Sequence, residues 1–296
     1  MNRATLSRGD LAAAAAVVVI WGFNFVAMKV ALRDFTSMQL GAVRYVFAAL
    51  PMILLVRKPA VPWRWIVAYG LVQGVGQFGL LFLALRLGMT SALASVLQQT
   101  QVFFTALLAG AFLHEKLSRP AKVALGLAAM GLGCFAMNVS ATGAGSGLTL
   151  ASLLLNLGAA AMWAVANIFA RQLQRRFPGY SPFEFVVWSS LAPIAPFVAL
   201  SLYFDGAAVW RDWSHVSVGG WVAAAYLGWL ATLAAYGLWT GLLARHPANR
   251  IAPFSLGVPV VGLVAGILVL GESITLWQGA GVAFVGAALV YLLFGR

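Results

Sequence analysis

Apolar residues run along this chain in blocks of about twenty, the length a bilayer requires, and the short stretches between them hold nearly every charge. The blocks lie at roughly 11–32, 36–56, 64–85, 91–113, 120–139, 148–170, 183–204, 217–241, 249–270 and 276–294. An α-helix rises 1.5 Å per residue and a hydrocarbon core is about 30 Å thick, so each block is long enough to cross. In lipid every backbone N–H and C=O must be paired within the element, which makes such spans helices. The third is the weakest, because Gln73 and Gln77 interrupt it. The pattern predicts an all-α integral membrane protein of ten transmembrane helices, with no stretch left for a soluble domain.

Composition agrees with this reading. Of 296 residues, 62% are hydrophobic and 9% charged, too few charges to cover a soluble surface of that size. The net charge of +12 does not point to nucleic acid, because the basic residues sit in short loops rather than in one stripe. Arg3 and Arg8 before an Ala/Val run look like a secretory signal. The apolar run from Leu11 to Leu32 is too long for one and lacks a small-residue cleavage site, so it reads as a retained first span.

Lys and Arg set the orientation, since cytoplasmic loops carry their excess. With the N-terminus inside, fourteen fall in inside segments: Arg3, Arg8, Arg57, Lys58, Arg64, Lys116, Arg119, Lys122, Arg171, Arg175, Arg176, Arg245, Arg250 and Arg296. Four fall outside (Lys29, Arg33, Arg86 and Arg211), and Arg44 lies within the second span. The expectation is an even number of spans with both termini cytoplasmic.

The two halves echo each other. Trp21, Asn24 and Lys29 of the first span are matched by Trp163, Asn167 and Arg171 of the sixth. Ala109-Gly110 leads into Leu113-His114-Glu115-Lys116-Leu117 after the fourth span; Ala265-Gly266 leads into Leu270-Gly271-Glu272-Ser273-Ile274 after the ninth. Glycine pairs follow each, Gly126/Gly131 and Gly281/Gly286, consistent with close helix packing of spans five and ten at the periphery or in a dimer contact. The order is what counts. Residues 1–143 and 144–296 then form two five-span repeats, and an odd span number inserts the second upside down, with a binding site near the midplane between them.

The Trp-Gly-Phe-Asn-Phe element at Trp21–Phe25, the Glu-containing elements after spans four and nine, and the five-plus-five plan resemble the EamA-type drug/metabolite transporter superfamily, over essentially the whole chain. Within it, the chain is similar to the bacterial aromatic amino acid exporters. The resemblance implies an inner-membrane exporter with a central cavity. His114 departs from the usual glycine, and Trp163/Asn167 is a looser match than the first-span element.

The polar residues inside the spans add the chemistry. All seven acids, Asp10, Asp34, Glu115, Glu184, Asp205, Asp212 and Glu272, fall at span ends or in loops, so no buried carboxylate offers a proton or sodium relay. Facilitated diffusion or carboxylate-free coupling is expected. What the spans do hold is neutral hydrogen-bonding capacity: Gln73/Gln77, Gln98/Gln101, Trp163/Asn167, Trp21/Asn24 and Tyr236/Trp239, each pair sharing a helix face, with Ser255 between Pro253 and Pro259. Amides suit an amino acid's carboxylate and ammonium groups, and indole and phenol rings give apolar walls with a polar edge. These eleven are the candidate substrate-binding residues; the prolines read as a kink or hinge for alternating access. The alternative is that the amides merely join helices.

Trp63, Trp65, Trp210, Trp213, Trp221 and Trp277 read as an interfacial belt. Lys29 and Arg44 are expected to snorkel to the outer surface, Arg44 pairing with Asp34; the alternative is a cationic gate or carboxylate contact at the outer mouth.

Chemistry of the enzymatic kind finds no support. Cys134 is the only cysteine, and His114, His215 and His246 lie in three separate loops without metal-ligand spacing. No metal, cofactor or catalytic residue is expected. The function that follows is transport of a small solute, an amino acid with an aromatic or apolar side chain first. Nucleobases, sugars or drugs are the other cargoes, and a membrane scaffold or lipid-handling role is the non-transport alternative. The oligomeric state is left open by the sequence.

Overall fold

The computed structural model of the chain describes residues 6–50, 52–113, 118–142, 148–246 and 248–295. Ten helices in it are long and apolar enough to cross a membrane: α1 (Arg8–Ala31), α2 (Ser37–Leu55), α3 (Trp63–Arg86), α4 (Ser91–Ala111), α5 (Arg119–Ser140), α6 (Leu150–Arg176), α7 (Pro182–Phe204), α8 (Val218–Leu243), α9 (Pro253–Leu270) and α10 (Leu276–Phe294). Their number and bounds follow the hydropathy pattern closely. The largest departure is α6, which carries Arg171, Arg175 and Arg176 on its own final turns rather than in a loop. His114, Glu115, Lys116 and Leu117 lie outside the described residues.

Short polar side chains fix the starts of these helices. Ser7, Thr36, Thr149 and Thr275 close capping boxes with Asp10, Gln39, Ser152 and Gln278. Thr90, Ser181 and Ser217 each accept from the backbone N–H three residues on. These caps satisfy amide donors that have no partner within the helix and that lipid cannot satisfy.

Four interior segments depart from α geometry. Leu71–Gly79 within α3 and Tyr226–Ala234 within α8 are π-helical, and Gln98–Thr100 within α4 and Ala252–Leu256 leading into α9 are 3₁₀. In α8 the wider turn is visible in a side chain: Thr232 Oγ1 donates to the carbonyl of Leu227, five residues back, at 2.8 Å. Such irregular turns in long helices concentrate at functional sites. Pro253 lies inside the 3₁₀ segment, so the expected kink takes the form of a locally tighter helix.

Packing arranges the ten helices around a central space. α1 packs on α8 and α9, α6 on α3 and α4, α2 on α7 and α8, and α4 on α9. α5 and α10 pack mainly on each other, where Gly131 faces Val285 and Gly281 faces the Phe135 ring. Gly126 and Gly286, by contrast, face open space, so only one glycine of each expected pair makes a close approach. Large apolar side chains such as Leu276 (88% exposed) and Leu54 (81%) point outward, as lipid-facing positions do.

The six tryptophans expected in the interfacial belt differ in their contacts. Trp63 and Trp277 are exposed. Trp210, Trp213 and Trp221 instead form one packed cluster with Phe35: the indoles of Trp213 and Trp221 stack at 5.5 Å, and Phe35 meets Trp221 edge-on at 5.3 Å. Trp65 packs edge-on against Phe169 at 5.7 Å. Tertiary neighbours supplied the apolar contact that an interface would otherwise have given.

Candidate functional site

At the centre lies a cavity of about 390 Å³. Ten of the eleven candidate residues line it: Trp21 and Asn24 from α1, Gln77 from α3, Gln98 and Gln101 from α4, Trp163 and Asn167 from α6, Tyr236 and Trp239 from α8, and Ser255 at the start of α9. Gln73 does not. It faces a small adjoining space with Tyr45, Gly74 and Thr232, and its amide Nε2 donates to Gln77 Oε1. α5 and α10 contribute no lining residue.

Each side chain's freedom is set by its own bonds. Trp21 is committed to the wall: its Nε1 donates to the Ala231 carbonyl at 3.0 Å, and its ring packs against Tyr236 (5.3 Å) and Trp239 (5.5 Å). Gln98 Nε2 donates to Asn156 Oδ1 at 2.6 Å, tying α4 to α6. Asn167 Nδ2 donates to Gln101 Oε1 at 2.7 Å and Thr105 Oγ1 at 3.2 Å. The amides therefore do join helices, as the alternative reading of the sequence held, and they also line the cavity. Two acceptor atoms, Asn24 Oδ1 and Gln98 Oε1, are buried with no protein donor among the described residues. A buried polar atom without a partner is uncommon, and in a cavity it is a position for a solute or water.

The lining also includes residues that helical spacing did not single out, among them Arg44, Tyr69, Phe78, Gln99, Tyr180 and Thr240. Tyr180 stands between α6 and α7, packed edge-on to Phe185 at 5.5 Å; burial pushes its phenol above the ordinary value, so it enters as a neutral group. Among the described residues no Asp or Glu lines it.

Arg44 overturns its expected placement. It is 2% exposed and does not reach the surface, nor does Asp34 pair with it. Asp34 Oδ2 accepts from the Ser217 backbone N–H at 3.0 Å, so its carboxylate caps the start of α8 instead. The Arg44 guanidinium lies 3.7 Å from the Phe78 ring centroid, and its Nη2 donates to Thr232 Oγ1 at 3.2 Å. The turn of α2 that carries Arg44 packs directly on α8, with the Arg44 carbonyl against Gly228, and this holds the side chain inside the bundle. The signal available in the sequence was the lone charge within an apolar span, which marks a functional position by default.

Lys29 is half-buried at one end of the bundle. Its Nζ donates to the Leu85 and Met89 carbonyls at 2.9 and 2.8 Å, and Arg86 Nη1 donates back to the Leu32 carbonyl at 2.8 Å. On the same side, Gly271 ends α9 in the left-handed conformation, and the turn brings Glu272 to the start of α4. There the carboxylate accepts from the Ser91 and Ala92 backbone N–H groups at 2.7 and 2.8 Å. These ties pin α1 to α3 and α9 to α4 at one end of the bundle. The cavity lining runs the other way, reaching Ala170, Tyr180, Pro182 and Leu243.

Ten helices long and apolar enough to cross a membrane, packed around a chamber of solute size, define a polytopic membrane protein with a central cavity. The chain belongs to the EamA-like transporter family, whose model matches it twice, at residues 7–137 and 150–294. A protein of Salmonella typhimurium called a probable amino-acid metabolite efflux pump is 37% identical, over 98% of this chain and 96% of its own. The Escherichia coli protein of the same description is 35% identical over 96% and 93%. An uncharacterized transporter of Archaeoglobus fulgidus is 25% identical over 93% and 96%. One crystal structure matches with a TM-score of 0.61 at 18% identity over 96% of both chains, a likeness of fold alone.

Proposed function

We propose that this protein exports amino acids, those with aromatic or apolar side chains first, across a bacterial inner membrane by alternating access. The observation that carries the reading is the central cavity, where amides and indole and phenol rings converge without an acid. Its volume falls in the range of about 300–1,000 Å³ typical of small-ligand sites. The two relatives described as amino-acid metabolite efflux pumps support the cargo class and the direction.

The mechanism rests on residues 1–143 and 144–296 acting as two inverted repeats. Several observations support this. The packing of α1 on α8 has a counterpart five helices on, α6 on α3; so do α1 on α9 (α6 on α4) and α2 on α8 (α7 on α3). The π segments fall in α3 and α8, and the 3₁₀ segments in α4 and α9. With both termini cytoplasmic, the Lys29, Arg86 and Glu272 ties seal the outer end, and the cavity belongs to an inward-facing state. The 3₁₀ turns within α4 and α9 are the hinge.

Two experiments test this reading. Purified protein in liposomes, offered a panel of radiolabelled amino acids, should move the aromatic and apolar ones fastest, at the same rate with and without a pH gradient. Flux of none of them removes the cargo proposal, and strict dependence on the gradient removes the facilitative one. For orientation, Cys134→Ser gives a cysteine-free background, in which Ser214→Cys between α7 and α8 should react with an impermeant maleimide in intact cells. Arg175→Cys at the end of α6 should react only after lysis; the reverse pattern overturns the topology.

A further inference from the structure

We infer that Arg44 is the anchor for a carboxylate on the transported solute, so that the cavity selects carboxylate-bearing molecules and rejects their amine analogues. The inference rests on the export reading and narrows its substrate class. The structural basis is a fully buried cavity-lining guanidinium whose Nε and Nη1 have no protein acceptor among the described residues.

A purely structural role explains this residue poorly. Its protein contacts are one bond of 3.2 Å to a hydroxyl and the faces of Phe78 at 3.7 Å and Tyr45 at 5.9 Å. Those are weak returns for taking a cation out of water, and an apolar side chain of similar volume would fill the same space at lower cost. Among the described residues no Asp or Glu borders the cavity to neutralise it. The cavity that Arg44 borders is the nearest source of an acceptor, and the acceptor that matches a planar guanidinium in both charge and geometry is a carboxylate.

The rest of the lining fits the other end of an amino acid. Asn24 Oδ1 and Gln98 Oε1 are acceptors without donors in the same chamber, suited to an ammonium group. Unpaired donors at Arg44 and unpaired acceptors at Asn24 and Gln98 give the chamber the polarity of a zwitterion's complement, with aromatic walls for the side chain.

The test uses L-phenylalanine, 3-phenylpropionate (which lacks the ammonium) and phenethylamine (which lacks the carboxylate). Binding to detergent-purified protein is read from the fluorescence of the cavity's own tryptophans, and flux from liposomes. Wild type should bind the amino acid and the acid, and the amine at least about tenfold more weakly. Arg44→Met should weaken the amino acid and the acid by about 30-fold or more, the loss of a charged hydrogen-bonded pair, and leave the amine unchanged. Arg44→Lys, which keeps the charge but loses the fork, should fall between. Arg44→Met should also melt no lower than wild type, because it removes a poorly compensated buried charge. Amine binding as tight as the amino acid's, no binding of either carboxylate, or an Arg44→Met protein that binds both as wild type does, each overturns the inference. A protein that moves no amino acid yet binds 3-phenylpropionate through Arg44 keeps the anchor and loses the amino-acid reading. One that moves amino acids equally well with Arg44→Met keeps the reading and loses the anchor.

Discussion

Gly228→Val should cost this protein its folded form. A Cβ at position 228 would stand 2.4 Å from the Phe47 Cβ, 2.9 Å from the Arg44 carbonyl oxygen and 3.0 Å from the Ala48 backbone nitrogen. Two of those three atoms are main chain of α2, so no rotamer change relieves the contact and α2 and α8 must separate. Overpacking of this kind costs about 1–3 kcal/mol, with a β-branched side chain at the upper end or beyond. The separation also pulls Thr232 away from Arg44, so the damage reaches the cavity. Gly228→Ala should melt at least about 5 °C below wild type, and Gly228→Val should give no monodisperse peak in detergent. Gly126→Ala on α5 is the matched control: nothing lies within 4 Å of its added Cβ, and alanine is the better helix former, so its melting point should hold or rise. Equal melting of Gly228→Ala and Gly126→Ala would mean that α2 and α8 do not cross where described.

Trp163→Ala should reduce amino-acid flux at least tenfold while leaving the fold intact. Trp163 is half-buried and lines the cavity, and among the described residues its indole makes no ring or hydrogen-bond contact like those that commit Trp21 to Ala231, Tyr236 and Trp239. If a solute covers about 100 Å² of one ring face, the lost contact is worth about 2.5 kcal/mol, a shift of tens of fold in affinity. Trp163→Phe should recover most of it, because the ring face survives. Trp21→Ala should instead lower flux and melting temperature together, having removed a bond between α1 and α8. Unchanged flux in Trp163→Ala, measured in the same liposomes as wild type, would move the binding site away from α6.

Much of this protein could be read before folding. Ten apolar blocks gave ten helices, because lipid requires each span to satisfy its own backbone and so makes span content a local property. The same logic found the amides: Gln77, Gln98, Gln101 and Asn167 stood out as hydrogen-bonding groups where hydrocarbon offers no partner. Gln73 shows the limit. Helical spacing put it on one face with Gln77, but only Gln77 lines the cavity, and Gln73, one turn away, faces the adjoining space while bonding Gln77.

What the sequence determined by itself was the number, length and start of the helices and the kinds of polar group they carry, since hydropathy, capping and backbone pairing act over a few residues. Only the tertiary structure decided where the cations went. Arg44 and Lys29 were each near a span end in sequence, and snorkelling was the cheapest solution for an isolated helix. In the assembled bundle Lys29 found the carbonyls of Leu85 and Met89, and Arg44 was closed in between α3 and α8 over Phe78. The fate of such a charge depends on neighbours far along the chain, 56 and 60 residues away for Lys29 and 188 for Arg44 and Thr232, and no local pattern encodes those.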